Sequence, residues 1–136
     1  MAGYSGTPLP KKLGLKPPMD LLVVDAPPEY AAWLGDLPPG VALVSSAAED
    51  VQAAHVFVYE RAVLETLLHG LRRQLQSTGF VWVSWPKKAS RVPTDVTEDT
   101  IRQVALPLGF VDIKVCAVSD VWSGLKLVIR KEEREA

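Results

Sequence analysis

The stretch LPLGFVDIKVCAVSDVWSGLKLVIR, residues 106–130, contains two runs in which apolar and polar residues alternate. Val111, Ile113 and Val115 form the first apolar set, and Leu125, Leu127 and Ile129 the second. That period of two belongs to strands with one face turned inward. Between the runs lies Ser119–Ser123, too short for a helical crossover, so the spacing predicts an antiparallel hairpin. Just upstream, Thr97 is placed to cap a helix whose inner face is Ile101, Val104, Ala105 and Leu108. Gly109 ends that helix, and Pro107 tightens its last turn.

Before this hairpin the chain alternates between helix and strand. Phe80–Trp85 (FVWVSW) reads as a strand. It follows the helix Arg61–Gln76, where Leu64, Leu67, Leu68, Leu71 and Leu75 make one stripe at three- and four-residue spacing. His55–Tyr59 (HVFVY) and Val41–Ser45 are further strands, and the small, polar Ser46–Ala54 between them reads as a loop with a helical turn. Pro28–Leu34 forms two helical turns closed by Gly35. Asp20–Asp25 (DLLVVD) is the almost wholly apolar run of a strand covered on both faces. Eight of the eleven prolines fall in the first forty residues, so the N-terminal third is built from short pieces. One of these is a helix over Pro8–Leu13, with Thr7 as N-cap and Gly14 as the terminating residue. The expected architecture is α/β: a mostly parallel sheet of about six strands, helices on both faces, and a closing antiparallel hairpin.

The 136 residues suit one domain, 1–136, with residues 1–15 as an N-terminal arm and short helix. An apolar content of 48% supplies a core without metal or disulfide support. Fifteen Lys and Arg against sixteen Asp and Glu argue against a nucleic-acid-coating protein. Cys116 is the single cysteine, which excludes an internal disulfide and a cysteine-based zinc site. Every apolar stretch is strand-sized, and no signal peptide opens the chain, so the expected location is cytoplasmic and off the membrane.

A parallel series closed by an antiparallel hairpin resembles the class I methyltransferase fold, with its three layers and Rossmann-like sheet. LPLGFVDIKV is similar to that fold's return from last helix to sixth strand, while the usual third strand and its helix are missing between Val41–Ser45 and His55–Tyr59. In sequence, AGYSGTPLPKKLG, WPKKAS, TDVTED and ALPLGFVDIKVCAV…WSGLK together resemble a bacterial domain-of-unknown-function family, which brings no activity with it.

The methyltransferase likeness implies three features for binding S-adenosylmethionine and acting with it. The first is a glycine-rich turn after strand one, where this chain has Asp25-Ala26-Pro27-Pro28-Glu29-Tyr30. Two prolines there remove two donors and add ring bulk where backbone must stay bare. The second is an acid at the end of strand two for the ribose. Here stand Ser45 and Ser46, with Glu49 and Asp50 further on. The third is a catalytic loop after strand four of that fold, often Asn/Asp-Pro-Pro-aromatic, here Tyr59-Glu60-Arg61. All three depart from the pattern, so no cofactor and no catalytic residue is assigned.

Ligands of open α/β sheets bind beyond the carboxyl ends of the strands, at the point where strand order reverses. That point falls between Leu21–Asp25 and Val56–Tyr59. The residues able to hold a ligand there are Asp25, Tyr59 and the loop residues Lys87, Lys88, Ser90 and Arg91, the last four suited to phosphate or carboxylate. A solvated loop accounts for the same charges. Asp95 and Thr97–Asp99 read as helix capping rather than a metal or acid–base site. His69 pairs with Glu65 one turn back, and His55 sits at the amino end of its strand, away from the ligand edge. Trp82 and Trp85 point to opposite sheet faces, so at least one is core. Trp122 lies in the hairpin loop, either exposed as a contact surface or folded over the sheet edge. Lys114, Lys126 and Arg130 share the polar face of the hairpin, as a basic stripe or as ordinary solvated residues.

These features point first to a non-catalytic binding or interaction module on a methyltransferase-like scaffold. The alternative is an enzyme acting on a small anionic substrate in the switch-point crevice. A third reading is an oligomeric structural or regulatory subunit, joined to a protein partner or a second copy through the hairpin edge or the thinly covered sheet face.

Overall fold

The computed structural model describes residues 7–46 and 49–134. Its strands are β1 (Met19–Val24), β2 (Val41–Val44), β3 (Val51–Phe57), β4 (Leu75–Pro86), β5 (Phe110–Ala117) and β6 (Trp122–Ile129). They form one sheet in the order β2-β1-β3-β4-β6-β5. Neighbours from β2 to β4 run parallel, while β6 is antiparallel to both β4 and β5. Helices α1 (Leu9–Leu13) and α2 (Tyr30–Leu34) cover one face, where Leu13, Tyr30, Leu34, Phe57 and Trp82 pack together. Helices α3 (Arg61–Gln74) and α4 (Glu98–Ala105) cover the other, with Leu64, Leu68, Ile101, Val83 and Leu125 among the core residues. The sheet, its two helical layers and the closing hairpin match the architecture expected from the sequence.

Local chemistry explains the helix limits. The α3 stripe buries Leu64, Leu68 and Leu71, and each such side chain contributes about 1.5–3 kcal/mol on leaving water. The helix stops at Gln74, two residues early, because Leu75 turns extended and opens β4 instead. Thr97 and Thr100 form a reciprocal capping box for α4. As Pro107 predicts, the end of α4 tightens into a 3₁₀ turn over Leu106–Leu108, which Gly109 closes at φ 97°. Pro8, rather than Thr7, is the N-cap of α1, and Gly14 ends that helix in the left-handed region. Helix α2 begins at Tyr30 rather than Pro28, led in by the bond from Tyr30 N–H to the Pro27 carbonyl (3.0 Å).

Three expectations need larger correction. Strand β3 begins at Val51, so the supposed loop 46–54 already includes four strand residues. Ala53 and Ala54 are poor strand formers, yet both are fully buried on opposite faces of the sheet, and tertiary burial outweighs propensity. Trp122 is not in the hairpin loop: it opens β6, pairs with Pro86 and is buried. In β5 the alternating apolar set is not the inner face. A bulge falls between Asp112 and Lys114, Ile113 and Val115 are 56% and 50% exposed, and Phe110 supplies the buried contact instead. Strand β5 is an edge, and α4 is tied to it at Asp112, through Arg102 (3.0 Å), just before the bulge. Among the described residues no helix is long and apolar enough to cross a membrane.

Candidate functional site

The carboxyl edge of the sheet is built by the segments that leave β1, β3 and β4, three adjacent parallel strands. Asp25 follows β1 at φ 59°, the left-handed region, which turns the chain sharply into Ala26-Pro27-Pro28. Neither proline has an N–H, and of the two that follow them, on Glu29 and Tyr30, the Tyr30 N–H is committed to the Pro27 carbonyl. The Tyr30 side chain points inward. Its hydroxyl is 2.7 Å from His55 Nδ1, and His55 Nε2 is 2.7 Å from Ser84 Oγ. All three residues are buried, and His55 is 0% exposed. Contrary to expectation, His55 is the fifth of seven residues in β3 rather than its amino end. Burial lowers its imidazole to about 3, so it is neutral, and burial pushes the Tyr30 phenol above its ordinary range.

Tyr59 lies just past β3 and is 48% exposed, its ring edge-on to Trp122 at 5.1 Å. Its carbonyl accepts from Thr94 Oγ1 (2.6 Å) and from the Asp95 N–H (3.2 Å). Asp95 Oδ1 in turn accepts from the N–H of Arg61, the first residue of α3 (2.7 Å). Glu60, at the N-cap position of α3, makes no side-chain cap of its own. Asp95 therefore caps a helix, as its position suggested, but that helix is α3 from across the edge, while Thr97 caps α4.

The lysine loop is pinned at its start by Lys87 N–H to the Val121 carbonyl (2.8 Å). Lys88–Ser90 then makes a 3₁₀ turn, and the Ser90 hydroxyl closes it by donating to the Lys87 carbonyl (2.6 Å) and accepting from Val92 N–H (3.2 Å). Lys88 and Arg91 are exposed and Lys87 half-buried. Asp25, Tyr59 and Lys87 thus stand in sequence along one sheet edge, with Ser90 occupied by its own turn. A cavity of about 290 Å³ on the same edge is lined by other residues: Glu29, Trp33, Ser119, Asp120, Val121 and Trp122. Aromatic walls and two carboxylates suit a neutral or cationic group, not an anion. Sequence reasoning placed Trp122 nearby but missed Trp33, Glu29 and Asp120, whose only signal was an aromatic and acids at the two loops meeting here.

The remaining candidates fall elsewhere. Ser45 and Ser46 are exposed beyond β2, and residues 47 and 48 lie outside the described ones. Asp50 precedes β3 at the opposite edge of the sheet, where its carbonyl accepts from Gln76 Nε2 (3.1 Å). His69 donates to the backbone carbonyl of Glu65 (2.9 Å), while the Glu65 carboxylate is taken by Arg61 (3.2 Å). Cys116 is half-buried within β5, and burial raises its thiol. Lys114 and Lys126 are directly opposed across β5 and β6, whereas Arg130 is set apart from them by Val128. Among the described residues no group of three or more His, Cys, Asp or Glu is placed to hold a metal ion.

No family model matches the chain, and no curated protein matches it either. Solved structures do. The chain is similar to a SAM-dependent methyltransferase from Aquifex aeolicus, with a TM-score of 0.61 and 16% identity over 89% of this chain and 87% of that one. Fibrillarin from Aeropyrum pernix, solved with natively bound S-adenosyl-L-methionine, gives 0.57 and 14% over 89% and 72%. Ribosomal protein L11 methylase from Lactobacillus delbrueckii subsp. bulgaricus gives 0.54 and 15% over 88% and 73%. At these identities the likeness is one of architecture: the chain has a Rossmann-like fold of the class I methyltransferase type.

Proposed function

We propose that the chain is a non-catalytic binding or interaction module on a degenerate methyltransferase-like scaffold. The observation that carries this reading is the turn after β1. Pro27 and Pro28 offer no donors, Tyr30 N–H is spent inside the turn, and Asp25 makes the sharp bend. A nucleoside cofactor in that position needs close, bare backbone. The residues present do not fit it. Support also comes from the other two positions: two serines end β2 where a ribose-binding acid would stand, and the Tyr59 carbonyl is occupied by the Thr94–Asp95 loop.

On this reading the protein is a cytoplasmic single domain of the bacterial family its motifs resemble. Its partner is another protein or a second copy, and the exposed Ile113 and Val115 on edge strand β5 are the surface put forward for that contact. The acid-rimmed aromatic cavity favours this over the enzyme for a small anionic substrate, which would bring like charges together.

A thermal-shift series with S-adenosylmethionine tests the reading. A ligand present at a hundred times its dissociation constant stabilises a folded protein by about 2.7 kcal/mol. The expected result is an unchanged Tm at millimolar ligand; a rise of several degrees would contradict it.

A further inference from the structure

Four lysines from three separate segments come together beside α1, on the face of the sheet opposite α3 and α4. Lys114 and Lys126 are cross-strand partners on β5 and β6. Like charges directly opposed on a sheet face destabilise it, so the pair breaks a local rule, offset only by aromatic rings under Lys126. Lys126 is half-buried, its ammonium 4.3 Å from the centre of the Phe80 ring, with no hydrogen-bond acceptor or carboxylate partner among the described residues. Gly14, at the end of α1, sits so close that an added Cβ would meet Lys126 Nζ at 3.3 Å. Lys16 follows two residues later, and both Lys114 and Lys16 act on Lys126 by repulsion, after burial, to lower its basicity. Lys12 reaches in from α1, its Nζ donating to the Ala117 carbonyl of β5 (3.3 Å).

Between α1 and β5 lies a cavity of about 450 Å³, lined by Thr7, Lys11, Lys12, Lys114 and Cys116 among others. That is within the size range of small-ligand sites. Three of the arginines, Arg61, Arg72 and Arg102, form ion pairs. Lys11, Lys16, Lys114 and Lys126 form none among the described residues, and Asp36, which shares a groove with Lys11 and Lys16 on the far side of α1, pairs with neither. A lysine on an exposed edge strand deters unwanted strand pairing, which accounts for Lys114 taken alone. It does not account for Lys126, on an interior strand and turned onto Phe80.

We propose that the concave surface between α1 and the closing hairpin, lined by Lys11, Lys12 and Lys114 and flanked by Lys126 and Lys16, binds the phosphate group of an anionic ligand. A phosphate placed there supplies a counter-charge for Lys16, Lys114 and Lys126, which form no ion pair among the described residues, and several acceptor oxygens for ammonium donors. The proposal concerns a different surface from the turn after β1 and does not depend on it.

The test titrates the full chain at low ionic strength with inorganic pyrophosphate and, separately, with single-stranded oligouridylate at matched phosphate concentration. Saturable binding is expected, weakened about tenfold or more by Lys114→Gln, since a charge-assisted bond is removed. The ligand-free Lys114→Gln protein should melt no lower than the parent, because a repelling pair is gone. Lys16→Gln, on an exposed residue, gives a second variant whose fold is not in question. Tighter binding of pyrophosphate assigns the phosphate to a small molecule, and tighter binding of the oligonucleotide assigns it to a strand. No saturable binding of either probe, or binding that both variants leave unchanged, overturns the proposal.

Discussion

The hydroxyl of Tyr30 and Nδ1 of His55 lie 2.7 Å apart beneath the carboxyl edge of the sheet, and the other ring nitrogen is equally close to Ser84. One buried imidazole therefore ties α2 to β3 and β4. Both hydroxyls can donate or accept, so either neutral tautomer is fully bonded. The protonated ring is another matter, because His55 is fully buried and its hydrogen-bond partners, Tyr30 and Ser84, carry no counter-charge.

That asymmetry sets a pH dependence. The ordinary imidazole pKa is 6.5, and in the folded chain burial lowers it to about 3. Between these values the unfolded chain holds a proton that the folded one does not, so stability is full above about 6.5 and falls as pH drops. From pH 6.5 to 5, above the main carboxylate range, the loss from this residue is about 1.5 kcal/mol. Urea unfolding at the two pH values checks it. His55→Gln, which keeps hydrogen-bonding groups but does not titrate, should flatten the dependence even if its absolute stability is lower.

Gly79 is required by close approach. A Cβ there would stand 2.8 Å from the Gln52 carbonyl oxygen and 2.8 Å from Leu75 Cδ1. The first is backbone of the paired strand, so Gly79→Ala must part β3 from β4 where their register already shifts between Val51 and Ala53. A loss of about 1–3 kcal/mol is expected, read as a lower denaturant midpoint. An unchanged midpoint would mean the strands separate freely there.

Asp95 caps α3 from outside the helix. Replacing it with Ala removes an acceptor from the helix N-terminus and should cost about 1 kcal/mol. Because the same side-chain bond ties the loop 94–96 to α3, amide exchange should quicken together at Arg61 and at Val96, whose N–H is held by Thr94 Oγ1 within that loop. Faster exchange at one alone would separate the cap from the loop.

Much of this fold was legible because its signals were periodic or sharply punctuated. The leucine stripe of α3, the Thr97 cap and the Pro107–Gly109 ending all sit where side-chain chemistry places them. What escaped was decided by tertiary contact. Ala53 and Ala54 become strand only because helices close over both faces of β3. Trp122 joins β6 because Phe57 and Tyr59 offer it ring edges, each at 5.1 Å. No residue type announces the bulge beside Asp112, so Ile113 and Val115 looked like core and are surface. The candidate edge was legible in part: Asp25, Tyr59 and Lys87 do line it, but the cavity there belongs to Trp33 and Trp122, which meet only when α2 packs near the hairpin turn.

Calorimetric titration of the full chain with S-adenosylhomocysteine probes the proline-filled turn most directly, since the product lacks the sulfonium charge and depends on the nucleoside cradle. Heats no larger than those of dilution are expected at every ratio. A saturable one-to-one isotherm at micromolar affinity would contradict it and return the chain to the working methyltransferases.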